Sequence, residues 1–295
     1  MWINILFILK TIIIGIVEGF TEFLPVSSTG HMIITEHIIG FMEGVQPAAL
    51  YDKVYIDMFT EVIQLGAILA IIVLYWDKII NTLRPSNIIP SEGKKWLNMP
   101  GFKFWLNIVI AAIPGVILGF LFKKKIEGLL FFPKPVAGAL IFGALLMIYA
   151  ENKYRKKATV KDVDAITIKQ AFIIGCFQCL AIVWPGMSRS ASTIIGAWIV
   201  GLTSVAGAEF SFFLAIPMMF GASIVSVHSA LKHLTMNGMQ IVGLGVGFLV
   251  SFVVALVVVE KFVKFLQKKP MRIFAVYRIF VGILILILAF ANVIS

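Results

Sequence analysis

A polar stretch inside an apolar chain is the feature that most restricts the fold. The stretch Glu18–His31 reads EGFTEFLPVSSTGH, with IIIGIV before it and MII after it. It places two carboxylates, several hydroxyls and an imidazole where each buried polar group is costly unless it is paired or hydrated. Such groups are retained for chemistry or transport more often than for stability. We therefore expect the rest of the chain to hold this stretch near the middle of a bilayer.

The composition identifies a polytopic membrane protein. Of the 295 residues, 60% are hydrophobic and 14% are charged, whereas soluble domains are about 25% charged. The net charge of +10 lies mainly in the loops between apolar runs, so it indicates membrane topology and no binding of nucleic acid. Cys176 and Cys179 lie in an apolar helix without neighbouring ligands, and we interpret them as structural.

The apolar runs predict six transmembrane helices and two broken pairs of helices. The first pair comprises residues 2–24 and 31–40, and the second comprises residues 167–183 and 190–200. Pro25 and the SSTG run interrupt the first pair. Once the polar break is removed, each piece is shorter than the ~20 residues that a span needs, so we predict a re-entrant hairpin. WPGMSRS interrupts the second pair in the same way. The predicted spans are residues 56–76, 104–122, 135–150, 207–228, 238–260 and 273–292, and residues 41–55 are predicted as a loop.

The two pairs align with each other at an offset of 160 residues. The matches include Gly15 with Gly175, Pro25 with Pro185 and Ser28 with Ser188. We predict an all-α membrane protein with a single domain, 1–295, that contains an inverted-topology repeat of residues 1–150 and 151–295. Each half has one re-entrant helix–loop–helix hairpin and three transmembrane helices. Because three is odd, the second half enters the membrane from the opposite side.

The positive charges predict the orientation. Sixteen Lys and Arg residues lie in loops 77–103, 151–169 and 261–272, and six lie in the loops of the other side. The positive-inside rule makes the first group cytoplasmic, so the first hairpin is predicted to open to the outer face. Arg278 lies within an apolar run, and we expect its side chain to snorkel to the cytoplasmic end of the last span.

The first motif combines carboxylates with possible nucleophiles. Glu18 and Glu22 are four residues apart and share one helix face. Two such carboxylates in a low dielectric share a proton or hold a cation, and a divalent cation completed by phosphate oxygens suits them. The hydroxyls of Ser27 and Ser28 and the imidazole of His31 follow on the predicted loop. Ser27 as a helix cap and His31 as a hydrogen-bonded interior histidine are the structural alternatives.

The second motif lacks the carboxylates and carries an arginine. Gln178 and Ile182 stand at the positions of the two glutamates, and the motif adds Ser188, Arg189, Ser190 and Thr193. Arginine suits bidentate phosphate binding, and broken helices leave backbone N–H groups that favour an anion. Together the motifs predict phosphoryl transfer on an anionic lipid. An ion cluster of the two glutamates with Arg189, without a catalytic role, is the alternative.

The motifs EGFTEFLPVSSTGH and PGMSRSAST, with VIQLGAILA between them, resemble the undecaprenyl-diphosphate phosphatase family linked to bacitracin resistance. The resemblance covers the whole chain. It implies hydrolysis of undecaprenyl diphosphate to undecaprenyl phosphate and phosphate at the outer face of the bacterial plasma (inner) membrane, which recycles the lipid carrier for cell-wall synthesis. It also implies a divalent cation, Mg or Ca.

The motif match also predicts the site residues. The predicted catalytic residues are Glu18, Glu22, Ser28, His31 and Arg189. The predicted substrate-binding residues are Ser27, Ser188, Ser190 and Thr193. Glu18 and Glu22 are the predicted metal ligands, with the polyprenyl diphosphate and the bilayer as partners.

Three alternatives stay open at this point. The nucleophile is Ser28, His31, or a water molecule activated by His31. The chain is a phosphatase or, since inverted repeats are typical of transporters, a protein that moves polyprenyl phosphate across the bilayer. The residues are compatible with a homodimer and do not indicate the number of chains.

Overall fold

The computed structural model describes residues 2–41, 50–90 and 95–294, and the described residues form α-helices joined by turns, loops and three short 3-10 helices. The helices are α1 Trp2–Thr21, α2 Ser28–Ile39, α3 Lys53–Leu74, α4 Trp76–Leu83, α5 Pro85–Ile88, α6 Pro100–Leu130, α7 Pro133–Tyr154, α8 Ile168–Val183, α9 Arg189–Ile199, α10 Ser204–Ala230, α11 Gly238–Lys268 and α12 Arg272–Phe290. Most of the predicted loop 41–55 falls on residues 42–49, which lie outside the described residues.

Seven of the described helices are long and apolar enough to cross a membrane: α1, α3, α6, α7, α10, α11 and α12. Six of them confirm the six predicted spans. The seventh, α1, contains 20 residues, so the prediction that both pieces of the first hairpin are too short to span is wrong for this piece. The apolar run is helical from Trp2 to Thr21; Glu18 lies within the helix without interrupting it, and Glu22 is the first residue after it.

The two broken pairs form the short helices α2, α8 and α9. The second pair agrees with the prediction to within one residue at each end. In the first pair, α2 begins at Ser28, three residues before the predicted start. Ser28 and His31 therefore lie in the first turn of a helix and not on a loop.

A serine with positive φ precedes each of these two helices. Ser27 has φ 70° before α2, and Ser188 has φ 67° before α9. The structure therefore makes Ser27, and not Ser28, the counterpart of Ser188, and Ser28 corresponds to Arg189. The offset of 160 does not hold here and becomes 161, because Ser188 lies 13 residues after Gly175 whereas Ser27 lies 12 residues after Gly15.

Each hairpin packs on a long helix from the other half of the chain. Helix α1 packs against α11, α8 packs against α6, and α7 packs against α12. Gly15 in α1 lies against the backbone of Gly247, and Gly175 in α8 lies against the backbone of Ala111, so both contacts exclude any larger side chain. This exchange of partners fits a twofold repeat; the inverted orientation of the halves stays a prediction.

The turn of the first hairpin is anchored in the protein core. Phe23 is buried and packs edge-on against Phe212 of α10, with ring centroids 5.4 Å apart and planes at 85°. Leu24 and Val26 belong to the same apolar cluster, which also contains Trp198 of α9. This packing holds the first turn beside the second hairpin and α10.

Candidate active site

The two motifs meet in one place. Arg189 Nη2 lies 3.1 Å from Glu22 Oε1, and both side chains are largely buried. Ser190 Oγ donates a hydrogen bond of 2.8 Å to the backbone carbonyl of Leu24. An ion pair and a backbone contact thus join the hairpins across more than 160 residues of chain, as the sequence predicts for a shared site.

Glu22 also bonds the hydroxyl at the start of α2. Ser28 Oγ donates to Glu22 Oε2 over 2.7 Å, while Arg189 occupies the other carboxylate oxygen. A hydroxyl in contact with a carboxylate that a third group orients is the arrangement of an activated nucleophile and its base. Of the predicted catalytic residues, the structure therefore brings Ser28, Glu22 and Arg189 into one chain of hydrogen bonds.

Arg189 is held on its other side by α10. Its Nη1 donates to the Ser211 carbonyl over 3.0 Å, and its guanidinium carbon lies 5.9 Å from the centre of the Phe23 ring. Thr193 Oγ1 lies 2.7 Å from Ser211 Oγ. The guanidinium is therefore fixed from two directions before any substrate arrives.

The remaining hydroxyls of the second motif are engaged within the protein. Ser188 Oγ accepts from the Ala191 backbone N–H over 3.3 Å and so caps α9, and it lies 3.1 Å from Ser190 Oγ. Ser190 and Thr193 are fully buried. These contacts hold the two turns together, and a direct contact of Ser188, Ser190 or Thr193 with substrate stays a prediction.

Glu18 is buried one helical turn before Glu22. Its side chain is fully buried, and neither carboxylate oxygen has a hydrogen-bond partner among the described residues. An unpaired carboxylate is costly inside a protein, so a proton or a cation must offset its charge. The two carboxylate oxygens of Glu18 can therefore still accept hydrogen bonds or bind a cation next to Glu22.

His31 hydrogen-bonds groups other than Ser28 and Glu22. Its Nδ1 lies 2.8 Å from the Ser27 carbonyl oxygen, and its Nε2 lies 2.7 Å from the hydroxyl of Tyr277 in α12. Both ring nitrogens are thus engaged, and Ser27 is buried without capping α2 through its own side chain. The structural alternative for His31 fits these contacts, whereas the alternative for Ser27 as a side-chain cap is wrong.

Arg278 is buried between the two turns. Its side chain is fully buried, and its Nη2 donates to the carbonyls of Met187 at 2.8 Å and Gly186 at 3.3 Å. Its Nη1 lies 3.5 Å from the Pro25 carbonyl of the other turn. The prediction that Arg278 snorkels to the cytoplasmic end is wrong, because the backbone carbonyls of both turns supply polar partners inside the protein.

Comparison with known proteins bears on this geometry. The family model described as "Bacitracin resistance protein BacA" matches residues 11–284. The chain belongs to the BacA family. Its relatives include "Undecaprenyl-diphosphatase 2" of Clostridium acetobutylicum, 61% identical over 100% of both chains, and "Undecaprenyl-diphosphatase" of Clostridium novyi, 63% identical over 99% of both. A third, "Undecaprenyl-diphosphatase" of Clostridium tetani, is 49% identical over 98% of this chain and 99% of its own.

The cation expected from the BacA resemblance can be tested against the side chains. The described residues contain no group of three or more His, Cys, Asp or Glu side chains fit to hold a metal ion. Glu18 nevertheless fits a cation, because both of its oxygens are buried and have no hydrogen-bond partner among the described residues. Both oxygens of Glu22 are already hydrogen-bonded, so Glu22 as the second ligand stays a prediction. Magnesium commonly binds through one or two carboxylates together with phosphate oxygens of the substrate.

Sequence reasoning missed three contributors to this BacA-family site. They are Ser211, Tyr277 and Arg278, which lie outside both motifs. The sequence does contain a signal for Tyr277 and Arg278, because a Tyr–Arg pair within an apolar helix requires polar partners inside the protein. Ser211 gave none, since it acts through its backbone carbonyl as well as its hydroxyl.

Proposed function

We propose that this chain hydrolyses undecaprenyl diphosphate to undecaprenyl phosphate and inorganic phosphate, and that Ser28 is the nucleophile. One observation carries the proposal: Ser28 Oγ donates to Glu22 Oε2 at 2.7 Å, and Arg189 holds the other oxygen of that carboxylate. The family membership and the printed names of the relatives supply the substrate and the reaction class.

The first step transfers the terminal phosphoryl group to Ser28. Ser28 Oγ attacks the terminal phosphorus, and Glu22 takes the hydroxyl proton. The bond from that phosphorus to the bridging oxygen breaks, and undecaprenyl phosphate leaves with the electron pair. General-base assistance of this kind contributes about 10²–10⁴-fold to a rate.

The second step restores the enzyme. A water molecule attacks the phosphorus of phosphoserine 28, Glu22 returns its proton to the departing Ser28 Oγ, and the phosphate keeps the protons of the water. The Oγ–phosphorus bond breaks, inorganic phosphate leaves, and Ser28 regains its hydroxyl proton. The same carboxylate thus serves both half-reactions, as expected of a base that stays beside one nucleophile.

Direct attack by water with His31 as base is the rival mechanism. Both ring nitrogens of His31 are already hydrogen-bonded, one to the Ser27 carbonyl and one to the Tyr277 hydroxyl. His31 would have to give up one of these bonds before it could take a proton. Ser28 is already paired with a carboxylate and is therefore preferred.

Two features of the site suit a diphosphate. Ser27 does not cap α2 through its side chain and so leaves room for phosphate oxygens at the first N–H groups, and the positive end of the helix dipole favours an anion. Arg189 adds a fixed positive charge beside Glu22. A divalent cation held by Glu18 and Glu22 would neutralise further charge on the phosphate oxygens.

We propose that this site opens to the outer face of the plasma membrane, because the loops on the opposite side carry most of the Lys and Arg residues.

Phosphate release from undecaprenyl diphosphate by the purified chain in detergent tests the reaction. We expect release with the wild type and none above background with Ser28→Ala, while Ser229→Ala, an exposed serine at the end of α10, retains full activity. Terminally labelled substrate and an acid quench should trap label on the wild-type chain. Release without trapped label, together with an active Ser28→Ala variant, would favour water attack. Loss of release with EDTA, restored by added Mg²⁺ or Ca²⁺, tests the cation.

A further inference from the structure

Tyr277 contacts His31 in two ways. The two rings are stacked, with centroids 5.5 Å apart and planes at 14°. The Tyr277 hydroxyl lies 2.7 Å from Nε2 of the imidazole. Tyr277 lies near the first third of α12, on the face away from the core, and remains 44% exposed. The contact therefore links a helix at the edge of the protein to the first turn of α2.

The hydrogen bonds define the state of the imidazole. Nδ1 lies 2.8 Å from the Ser27 carbonyl oxygen, which can only accept a hydrogen bond. In a neutral ring Nδ1 must therefore carry the proton, and Nε2 is left as the acceptor. Tyr277 is the donor that satisfies Nε2, and phenylalanine at this position would stack but could not donate.

The carbonyl that His31 bonds belongs to a strained residue. Ser27 has φ 70°, which costs energy in a residue with a side chain and persists only where neighbouring groups hold it. Ser188, in the same position before α9, is held by its own side chain, which accepts from the Ala191 N–H. Ser27 lacks such a bond, so the imidazole supplies the support. Its carbonyl lies in the peptide that leads directly into Ser28.

We propose that Tyr277 is a positioning residue for the hydrolysis, an inference that rests on the proposed function. Its hydroxyl keeps His31 in the Nδ1–H tautomer, and His31 in turn holds the Ser27–Ser28 peptide so that Ser28 Oγ stays on Glu22. Tyr277 itself touches neither the phosphorus nor the nucleophile. Its effect reaches the reaction through the imidazole and the backbone.

Kinetics of Tyr277→Phe test the role of the hydroxyl. The variant keeps the stacked ring and loses one hydrogen bond, so we expect kcat to fall about three- to tenfold with KM unchanged. Tyr149→Phe is the matched control, because Tyr149 is exposed on α7 and bonds only Lys153 among the described residues. It should match the wild type. Unchanged kcat in Tyr277→Phe, or a change confined to KM, would overturn the proposal.

The tautomer can be read independently of activity. In a ¹⁵N-histidine NMR spectrum recorded at pH ~9, where histidine is neutral, we expect the His31 signals of a ring protonated on Nδ1. A His31→Asn sample identifies those signals among the four histidines. Tyr277→Phe should add the Nε2–H form. A wild-type ring protonated on Nε2 would refute the inference even if Tyr277→Phe did not fold. Absence of phosphate release by the wild type would refute the proposed function and leave this test intact.

Discussion

Arg189 Nη2 and Glu22 Oε1 are 3.1 Å apart, with 15% and 8% of their side chains exposed. The pair is therefore shielded from water, and each member is the main compensation for the charge of the other. Removing one partner of a buried pair typically costs about 3–5 kcal/mol, far more than breaking a pair at the surface. The contact is thus a structural ion pair, and it also orients the proposed base.

The first prediction concerns Glu22→Gln. The amide cannot act as the base, and it leaves the Arg189 charge unpaired. We expect kcat to fall about 10²–10⁴-fold and the free energy of unfolding to fall by about 3–5 kcal/mol. Thermal unfolding in detergent and phosphate release measure the two effects. The control is Glu260→Gln, which breaks an exposed pair with Lys264 and should leave both unchanged. A free energy of unfolding equal to that of the wild type in Glu22→Gln would contradict the stabilising role of the Glu22–Arg189 ion pair.

The second prediction concerns Arg189→Lys. Lysine keeps the charge but cannot reach both Glu22 and the Ser211 carbonyl with a planar fork. We expect a rate loss on the order of 10²–10³, and a larger one for Arg189→Ala. The double variant Glu22→Gln, Arg189→Ala should be scarcely slower than the worse single variant, because groups that act as a unit are non-additive.

Arg155→Lys is the control for this series, since Arg155 lies outside the site. It should keep the wild-type rate. If the free-energy losses of the two single variants simply add in the double variant, the two hairpins contribute independently. Full activity of Arg189→Lys would show that the bidentate geometry of the guanidinium is not required.

The third prediction concerns Gly143, which makes room for Arg278. A Cβ at Gly143 in α7 would collide with the Arg278 guanidinium, which bonds both turns. We expect Gly143→Ala to lower the free energy of unfolding by about 1–3 kcal/mol, as overpacking does, and to lower kcat, because the turns must shift. Gly119→Ala in α6 has open space around it and should be silent. Equal behaviour of the two alanine variants would mean that the position of Arg278 is not critical.

The fourth prediction concerns orientation. In a chain whose Cys176 and Cys179 are replaced by serine, Lys232→Cys should react with an impermeant maleimide added to intact cells. Lys157→Cys should react only after lysis, because its loop belongs to the strongly basic side. The reverse labelling pattern would place the opening of the first hairpin in the cytoplasm.

The elements were largely predictable from the sequence. Long apolar runs fix helix positions in a membrane, and the WPGMSRS break limited α8 and α9 to within one residue. The predicted end of the first break is three residues too late, because the SSTG run predicts a loop. Those hydroxyl and glycine residues instead form the first turn of α2, and the strained Ser27 makes that early start feasible.

The pairing of side chains could not be predicted. The residue types indicate that Glu22 and Arg189 belong to one site and leave an ion cluster as an alternative. They do not show which glutamate pairs with Arg189, since this depends on how the first turn packs through Phe23 against Phe212. The predicted position of the Arg278 side chain is wrong for the same reason. Whether an arginine near a helix end turns outward or inward depends on carbonyls supplied by other segments.

The close backbone contacts at Gly15 and Gly175 limit how the molecule can move. Membrane carriers built from inverted repeats work largely by rocking one half as a rigid body against the other. Here α1 of the first half lies against Gly247 of the second, and α8 of the second lies against Ala111 of the first. Neither half could swing without pulling away a helix that the other half holds. Hydrolysis requires no such swing, because the lipid headgroup only has to reach a site that stays in place.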